Sequence, residues 1–261
     1  MPAYDWITLT TDYGLSDGFV AQLHGVVGRL APWLRVLDVT HQVHPGDVVR
    51  GAAVLAEAAA HLPPAVHVAV VDPGVGTARR GVAVAAGECI LVGPDNGLLP
   101  AAVRVLGGAL AAVELTNPAW HAPVVSRTFH GRDVFAPVGA RLATGAPLSG
   151  AGTPIDPATL VRLPEPLVAI GEGYLEAEVL TVDRFGNVQL AAPGDSLAGL
   201  GERLIVGGIR AVLGTTFAEA PPGGLIVFVD SADRVAVAIN GGRAVVALSV
   251  SPGDVLRVAT A

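Results

Sequence analysis

The chain changes texture about three-fifths of the way along, and that change limits the folds open to it. Through roughly the first 150 residues, short apolar runs alternate with segments whose apolar residues recur at helical spacing. WITLT (6–10) and RVLDV (35–39) read as strands. Between them FVAQLHGVVGRL (19–30) reads as a helix with Phe19, Leu23, Val26, Val27 and Leu30 on one side. DVVRGAAVLAEAAAHL (47–62) reads as a second helix with Asp47 at its N-cap. The strand AVHVAVV, a hairpin-like pair GVAVAA and CILVG, a helix from about Leu98 to Leu106 and the strand AAVEL follow. Such alternation predicts an α/β domain with a largely parallel sheet and helices packed on it. PIDPATLVRLPEPLVAIGEG, with four prolines and no sustained period, reads as a linker. Beyond it come short β-rich runs, from YLEAEVLTVD to VLRVA, broken by Gly, Pro and Asp with no helical pattern between them. These predict a smaller all-β, barrel-like domain. The expected organisation is therefore 1–154, a linker over 155–173, and 174–261.

Composition then removes several kinds of chemistry. All 16 basic residues are arginine, so Schiff-base catalysis and Walker-type phosphate binding, which need lysine, are excluded. A net charge of −7 argues against a nucleic-acid partner, which calls for a basic face. Cys89 is the only cysteine, which leaves no intrachain disulfide, thiolate metal site or CxxC redox pair. Half the residues are apolar and 15% are charged, enough to build a large core. The N-terminal stretch has no secretory pattern and no apolar run reaches membrane-spanning length, so the expectation is a cytoplasmic protein with no membrane partner.

Ligands of open α/β sheets bind beyond the carboxyl ends of the strands. Two carboxylates fall there: Asp12 after WITLTT, and Asp72 in VAVVDPGVGTARRG, which continues to Arg79 and Arg80. Taken singly, each has a structural reading. Asp12 suits a turn, Asp17 an N-cap for the helix starting near Gly18, Asp72 an Asp-Pro-Gly turn, and the arginines a solvated pair. His130 stands in RTFHGRD (127–133) between Phe129 and Gly131. HQVH (41–44) offers His41 and His44 at i, i+3, which with Asp12 would make a metal hydrolase. In the β-rich half, VDRFGNVQL brings Asp183, Phe185 and Asn187 together. FVDSADRVAVAINGG carries Ser231 and Asn240 at the two ends of one strand.

TDYGLSD, VDPGVGTARR, GPDNGLL, TFHGRDVFAP and DRFGNVQL occur in that order. Together they resemble the S-adenosyl-L-methionine hydrolase (adenosine-forming) family, hydrolytic relatives of fluorinase and chlorinase. The resemblance runs from about Ile7 to the C-terminal strands. It implies an N-terminal α/β domain, a C-terminal β-barrel-like domain, a homotrimer with the site at the subunit interface, and no cofactor or metal. It implies a catalytic set of Asp72, Arg79 and His130, with Asp12 on the ribose hydroxyls. Asn187, with the backbone around Asn240 and Gly241, would hold adenine; Phe185 and Phe217, with Phe129 beside the histidine, would be packing surfaces. Asp183 and Ser231, with Asp17, would meet the methionine end. Halogenating relatives have Tyr in place of Asp72 and Tyr–Ser in place of His130–Gly131, which places this chain on the hydrolytic side. Gly46 stands where an aromatic wall is usual, and Ala232 where fluorinase has Arg. The expected reaction is displacement of the sulfonium at ribose C5′ by water. Two alternatives stand beside it: a non-catalytic adenosine or S-adenosylmethionine binding module, and a halide-using adenosyl transferase.

Overall fold

A computed structural model describes residues 4–261 and divides the chain into two compact units, Met1–Leu163 and Pro164–Ala261.

In the first unit the elements run β1 (Trp6–Thr11), α1 (Phe19–Leu30), β2 (Arg35–Thr40), α2 (Val48–Ala59), β3 (Val66–Val70), β4 (Gly81–Ala86), β5 (Cys89–Pro94), α3 (Pro100–Val105), β6 (Ala109–Glu114), α4 (Ala136–Ala143) and β7 (Thr153–Ile155). They form one sheet in the order β2-β1-β3-β5-β4-β6-β7. Its first four strands are parallel, and β4, β6 and β7 add an antiparallel flank. Every residue of β3 is buried, as a central strand covered on both faces must be. One face packs Ile7, Leu9, Val66 and Val68 against Leu23 of α1 and Val138 of α4. The other packs Ala69, Val71 and Leu91 against Leu55 of α2 and Ala102 of α3. Each large aliphatic side chain buried this way is worth about 1.5–3 kcal/mol.

Helix α4 has no counterpart in the sequence reading, for a physical reason. All but one of its eight residues are buried, and at about two turns it is too short for a helical period to repeat. Pro137 follows directly on a π-helical turn, Gly131–Phe135, and the Asp133 carbonyl, four residues before it, accepts the Ala122 N–H at 2.7 Å instead of a helical one; Gly139 lets the helix press on β3. A Cβ at Gly139 would lie 2.5 Å from Val68 Cγ2.

The second unit contains β8 (Val168–Gly171), β9 (Tyr174–Val182), β10 (Val188–Pro193), β11 (Arg203–Val206), β12 (Ile209–Leu213), β13 (Leu225–Val229), β14 (Arg234–Ile239), the short helix α5 (Ala244–Leu248) and β15 (Val255–Thr260). The order β10-β14-β13-β12-β11-β15-β9 closes on itself through a β9–β10 pairing, which makes a barrel of seven strands with β8 attached to β9. Burial along β9 alternates strictly, with Leu175, Ala177, Val179 and Thr181 pointing inward. They join Leu190, Leu204, Val227, Val237 and Val258 in a core of the unit's own.

The stretch read as a linker splits between the units. Its first half ends in a 3-10 turn at Pro157–Thr159 that is tied to the first unit through Arg80 and Asp95. Its second half supplies β8, paired antiparallel with β9. The prolines hid a strand that, lying at a sheet margin, tolerates them nearby.

Candidate active site

Asp72 follows the buried run of β3, at the carboxyl edge of the sheet. The Asp-Pro-Gly turn is present: Val75 N–H donates to the Asp72 carbonyl at 3.2 Å. The carboxylate is engaged separately. Arg79 Nε donates to both its oxygens at 3.0 Å, and Nη2 adds a second contact to Oδ2. The Asp72 side chain is only 5% exposed and that of Arg79 12%, so the pair is held largely out of water. Arg79 also lies over the ring of Phe135, 5.2 Å from its centroid.

Gly76 explains how His130 reaches this pair. It sits at φ +77°, and a Cβ there would be 2.4 Å from the Arg127 carbonyl oxygen. Only glycine lets the 127–130 segment lie against the loop. His130 Nδ1 then stands 2.8 Å from Arg79 Nη2. A guanidinium has donors and no acceptor, so Nδ1 must accept. Burial, reinforced by the Arg79 charge, pushes the His130 pKa below its usual value, which favours the neutral ring. A neutral imidazole whose Nδ1 accepts carries its proton on Nε2.

Arg80, adjacent in sequence, goes elsewhere. Its Nε donates to Asp95 Oδ2 at 2.8 Å and its Nη2 to the Thr159 carbonyl at 2.7 Å. Asp95 belongs to GPDNG, and so does Asn96, whose Nδ2 donates to the Val71 carbonyl at 2.8 Å. That loop holds the end of the Asp72 strand in place.

Asp12, Tyr13, Gly46, Asp72, Thr128 and His130 line a cleft of about 210 Å³, with Val70, Pro73, Val75 and Gly131. The Asp12 Oδ2 oxygen accepts the Gly46 N–H at 2.8 Å. Gly46 has φ +77°, a conformation in which a bulky side chain would be strained, so this edge of the cleft is backbone and not an aromatic wall. Tyr13 escaped the sequence reading although it sits in TDYG beside Asp12. Burial, with Asp12 and Asp72 adding to it, raises its pKa and keeps the phenol neutral. A Cβ at Gly131 would be 2.2 Å from the Tyr13 hydroxyl oxygen, so the glycine after His130 is what admits that ring.

Phe129 is 8% exposed and belongs to the core, in edge-on contact with Tyr13 and Phe19 and covered by the Arg132 guanidinium. It supports Tyr13 from behind. Asp17 is exposed and does not cap α1, whose N-cap is Gly18 with no side-chain bond. The combination of His41, His44 and Asp12 does not assemble either. His41 Nδ1 bonds Thr11 Oγ1 at 2.8 Å, and its Nε2 faces Asp38, not Asp12.

In the second unit, the turn joining β9 and β10 carries Asp183, Phe185 and Asn187. Asp183 accepts both the backbone N–H and the side-chain Nδ2 of Asn187 at 2.8 Å, which leaves the amide oxygen of Asn187 as its open acceptor. Phe185 is 75% exposed. The 240–243 turn lies at the same end of the barrel, since Arg243 Nη1 donates to the Arg184 carbonyl at 3.1 Å and Val245 N–H to Gly186. Asn240 spends its side-chain donor on the Ala220 carbonyl at 2.7 Å, so it pins a turn, while Gly241 at φ +79° leaves open space beside the backbone. Phe217 is half exposed and stacks edge-on against Phe228. Ser231 is exposed in the turn between β13 and β14, at the opposite end of β14 from Asn240. The next residue, Ala232, donates its N–H to Asp230 at 2.9 Å.

Residues 7–152 match the SAM hydroxide adenosyltransferase N-terminal domain, and residues 177–257 match the C-terminal domain of the same family. The chain is 64% identical, over 99% of both chains, to a protein of Salinispora arenicola named (R)-S-adenosyl-L-methionine hydrolase. It is 43% identical to a protein of that name from Thermus thermophilus, over 95% of this chain and 97% of the relative. A fluorinase from an Actinoplanes species is more distant, 28% identical over 90% of each chain. The crystal structure of an uncharacterized conserved protein from Thermotoga maritima superposes with a TM-score of 0.90 and 33% identity, covering 97% of this chain and 99% of that one. With both domains matched in order and a relative this similar along its whole length, the chain belongs to the SAM hydroxide adenosyltransferase family.

Proposed function

We propose that this protein hydrolyses S-adenosyl-L-methionine to adenosine and L-methionine, with Asp72, Arg79 and His130 managing the attacking water. The names of the relatives support the substrate. The observation that carries the chemistry is the continuous Asp72–Arg79–His130 network on the wall of a cleft that also holds Asp12.

Water oxygen bonds to ribose C5′ as the C5′–S bond breaks, and the bonding pair passes to sulfur. The sulfonium leaves as the neutral thioether of methionine and needs no acid. Water is the weak partner, and the site serves it. Asp72 accepts a hydrogen bond from it and takes its proton on toward solvent, while the Arg79 positive charge favours the hydroxide form. His130, protonated on Nε2, donates to the water oxygen and holds it in line; it is a positioner and not the base. Alignment of water, carbon and sulfur contributes up to roughly 7–11 kcal/mol of the barrier reduction. Hydroxide and sulfonium lose opposite charges together, so a cleft with few waters favours their reaction.

Asp12, with one oxygen held by Gly46, presents the other to the ribose hydroxyls. Asn187 and the backbone at Asn240 and Gly241 bind adenine, with Phe185 and Phe217 as stacking surfaces, and Asp183 and Ser231 meet the methionine end. The protein forms a homotrimer in which the second unit of one subunit faces the cleft of its neighbour.

The test is incubation with S-adenosylmethionine in ¹⁸O-water, with EDTA and with or without halide, read by mass spectrometry. Adenosine labelled at the 5′ oxygen, formed with or without halide and lost in Asp72→Ala, is the expected result. Halogenated nucleoside would make the protein a transferase, and tight binding without turnover would make it a binding module.

A further inference from the structure

We propose that His24, Asp38 and His41 form a binding site for a divalent transition-metal cation of the zinc type, separate from the cleft and bracing its Asp12 loop. His24 comes from α1, Asp38 from β2 and His41 from the turn after β2. One ligand atom from each can be chosen so that all three lie within 4.8 Å of one another, and no other such group occurs among the described residues. The Nε2 atoms of both histidines converge on one carboxylate oxygen, His24 at 2.9 Å and His41 at 3.1 Å. Tetrahedral coordination with metal–ligand bonds of about 2.0–2.1 Å requires ligand atoms roughly 3.3 Å apart. The cluster is within a few tenths of an ångström of that spacing on two of its edges.

The second observation is His41 itself. It is 4% exposed, and its Nε2 is buried without a hydrogen bond of acceptable geometry. A buried polar atom left in this condition costs free energy, and a metal ion would satisfy it. Its other nitrogen is already arranged for ligation: Nδ1 bonds Thr11 Oγ1 at 2.8 Å, the outer partner a metal-bound imidazole requires. His24 and Asp38, each with side chains 39% exposed, form the open side, where water completes the shell. Two imidazoles and one carboxylate select zinc-like ions over magnesium or calcium, which prefer oxygen.

The link to the cleft runs through backbone. Thr11 Oγ1 accepts the Tyr13 N–H at 3.2 Å, and the His41 carbonyl accepts the Gly14 N–H at 2.7 Å. An ion on His41 therefore fixes both sides of the loop that carries Asp12 and Tyr13.

The experiment is calorimetric titration of untagged, chelator-treated protein with Zn²⁺ alone, alongside the absorption spectrum with Co²⁺. Expected are one equivalent bound with a raised Tm, and a Co²⁺ spectrum of a low-coordinate nitrogen/oxygen site without a thiolate band. His24→Gln and Asp38→Asn, both at half-exposed positions, should abolish the binding and the Tm shift, while His44→Ala retains them. Absence of a saturable equivalent in the parent protein overturns the proposal, whatever the variants do. Binding that survives both His24→Gln and Asp38→Asn, or disappears in His44→Ala, overturns it as well.

Discussion

Arg79 and Arg80 are neighbours in sequence, yet their guanidiniums go to different carboxylates with different consequences. Arg79→Ala is expected to lower kcat by about 10²–10⁴, the range for loss of a group acting on the reacting proton or charge, and, because Asp72 is left buried without its cation, to lower stability by about 3 kcal/mol as well. Arg80→Ala leaves Asp95, whose side chain is 3% exposed, without its cation. It should lower stability by about 3 kcal/mol while kcat holds. Kinetics and urea unfolding on the two variants separate these roles, and an equal loss of kcat in both would refute the division. Because the folded pKa of His130 lies below 6.5, its ring stays neutral down to that lower value. As pH falls through it, Nδ1 gains a proton, no longer accepts from Arg79 and repels it. The acid limb of kcat/KM should therefore lie below pH 6.5 and vanish in His130→Asn, which retains a side-chain donor. Gly131 and Tyr13 make a coupled pair: Gly131→Ala should cost about 1–3 kcal/mol by crowding the phenol, and Tyr13→Leu should recover part of it. Asp72, Arg79 and His130 were legible as residue types, and their mutual hydrogen bonds were not. Nothing in the spacing from 79 to 130 states that Nδ1, and not Nε2, meets the arginine.

At the scale of elements, β3 carries an unusual occupant. His67 is fully buried in the sheet, bonded through Nδ1 to Thr8 Oγ1 at 2.8 Å, with Nε2 unpartnered. Burial pushes its pKa down to about 4. Unfolded, the same ring titrates near 6.5, so between those values the unfolded chain binds the extra proton and stability falls as pH falls. The loss across the window from pH 6.5 to 4 is about 3 kcal/mol. Urea unfolding at several pH values should show it, and His67→Val should flatten that portion of the curve; an unchanged slope would assign the dependence elsewhere. The strands were legible because their patterns are simple: an apolar run broken only by His67 in β3, and apolar–acidic alternation from Leu175 to Val179 in β9. Helix α4 and strand β8 were not. The first is only eight residues long and the second is a short margin strand set among prolines, so neither leaves a period to read.

For the whole molecule, the proposed trimer makes a prediction that neither unit makes alone. On the proposed assignment, Asp72→Ala disables the cleft of the first unit and Asn187→Ala removes the adenine contact of the second. If neighbouring subunits share each site, mixing the two inactive proteins under conditions that exchange subunits should restore activity. The restored fraction should follow the statistics of mixed trimers, with the assembly checked by light scattering. No recovery despite exchange would place both contributions in one subunit.

The sequence by itself determined the class of each unit, because period and buried alternation are local properties of the chain. It determined the five motifs, and through them the family. It also determined what this protein lacks, since no arrangement in space supplies a missing lysine or a second cysteine. Tertiary structure decided which of two adjacent arginines meets Asp72, and which nitrogen of His130 keeps its proton. It placed Phe129 in the core behind Tyr13 and turned His41 toward Asp38, away from Asp12. These are questions of direction and distance between residues far apart in the chain. Hydrogen bonds and packing answer them only after the backbone has closed, at glycines such as Gly76 and Gly131 where no side chain would fit.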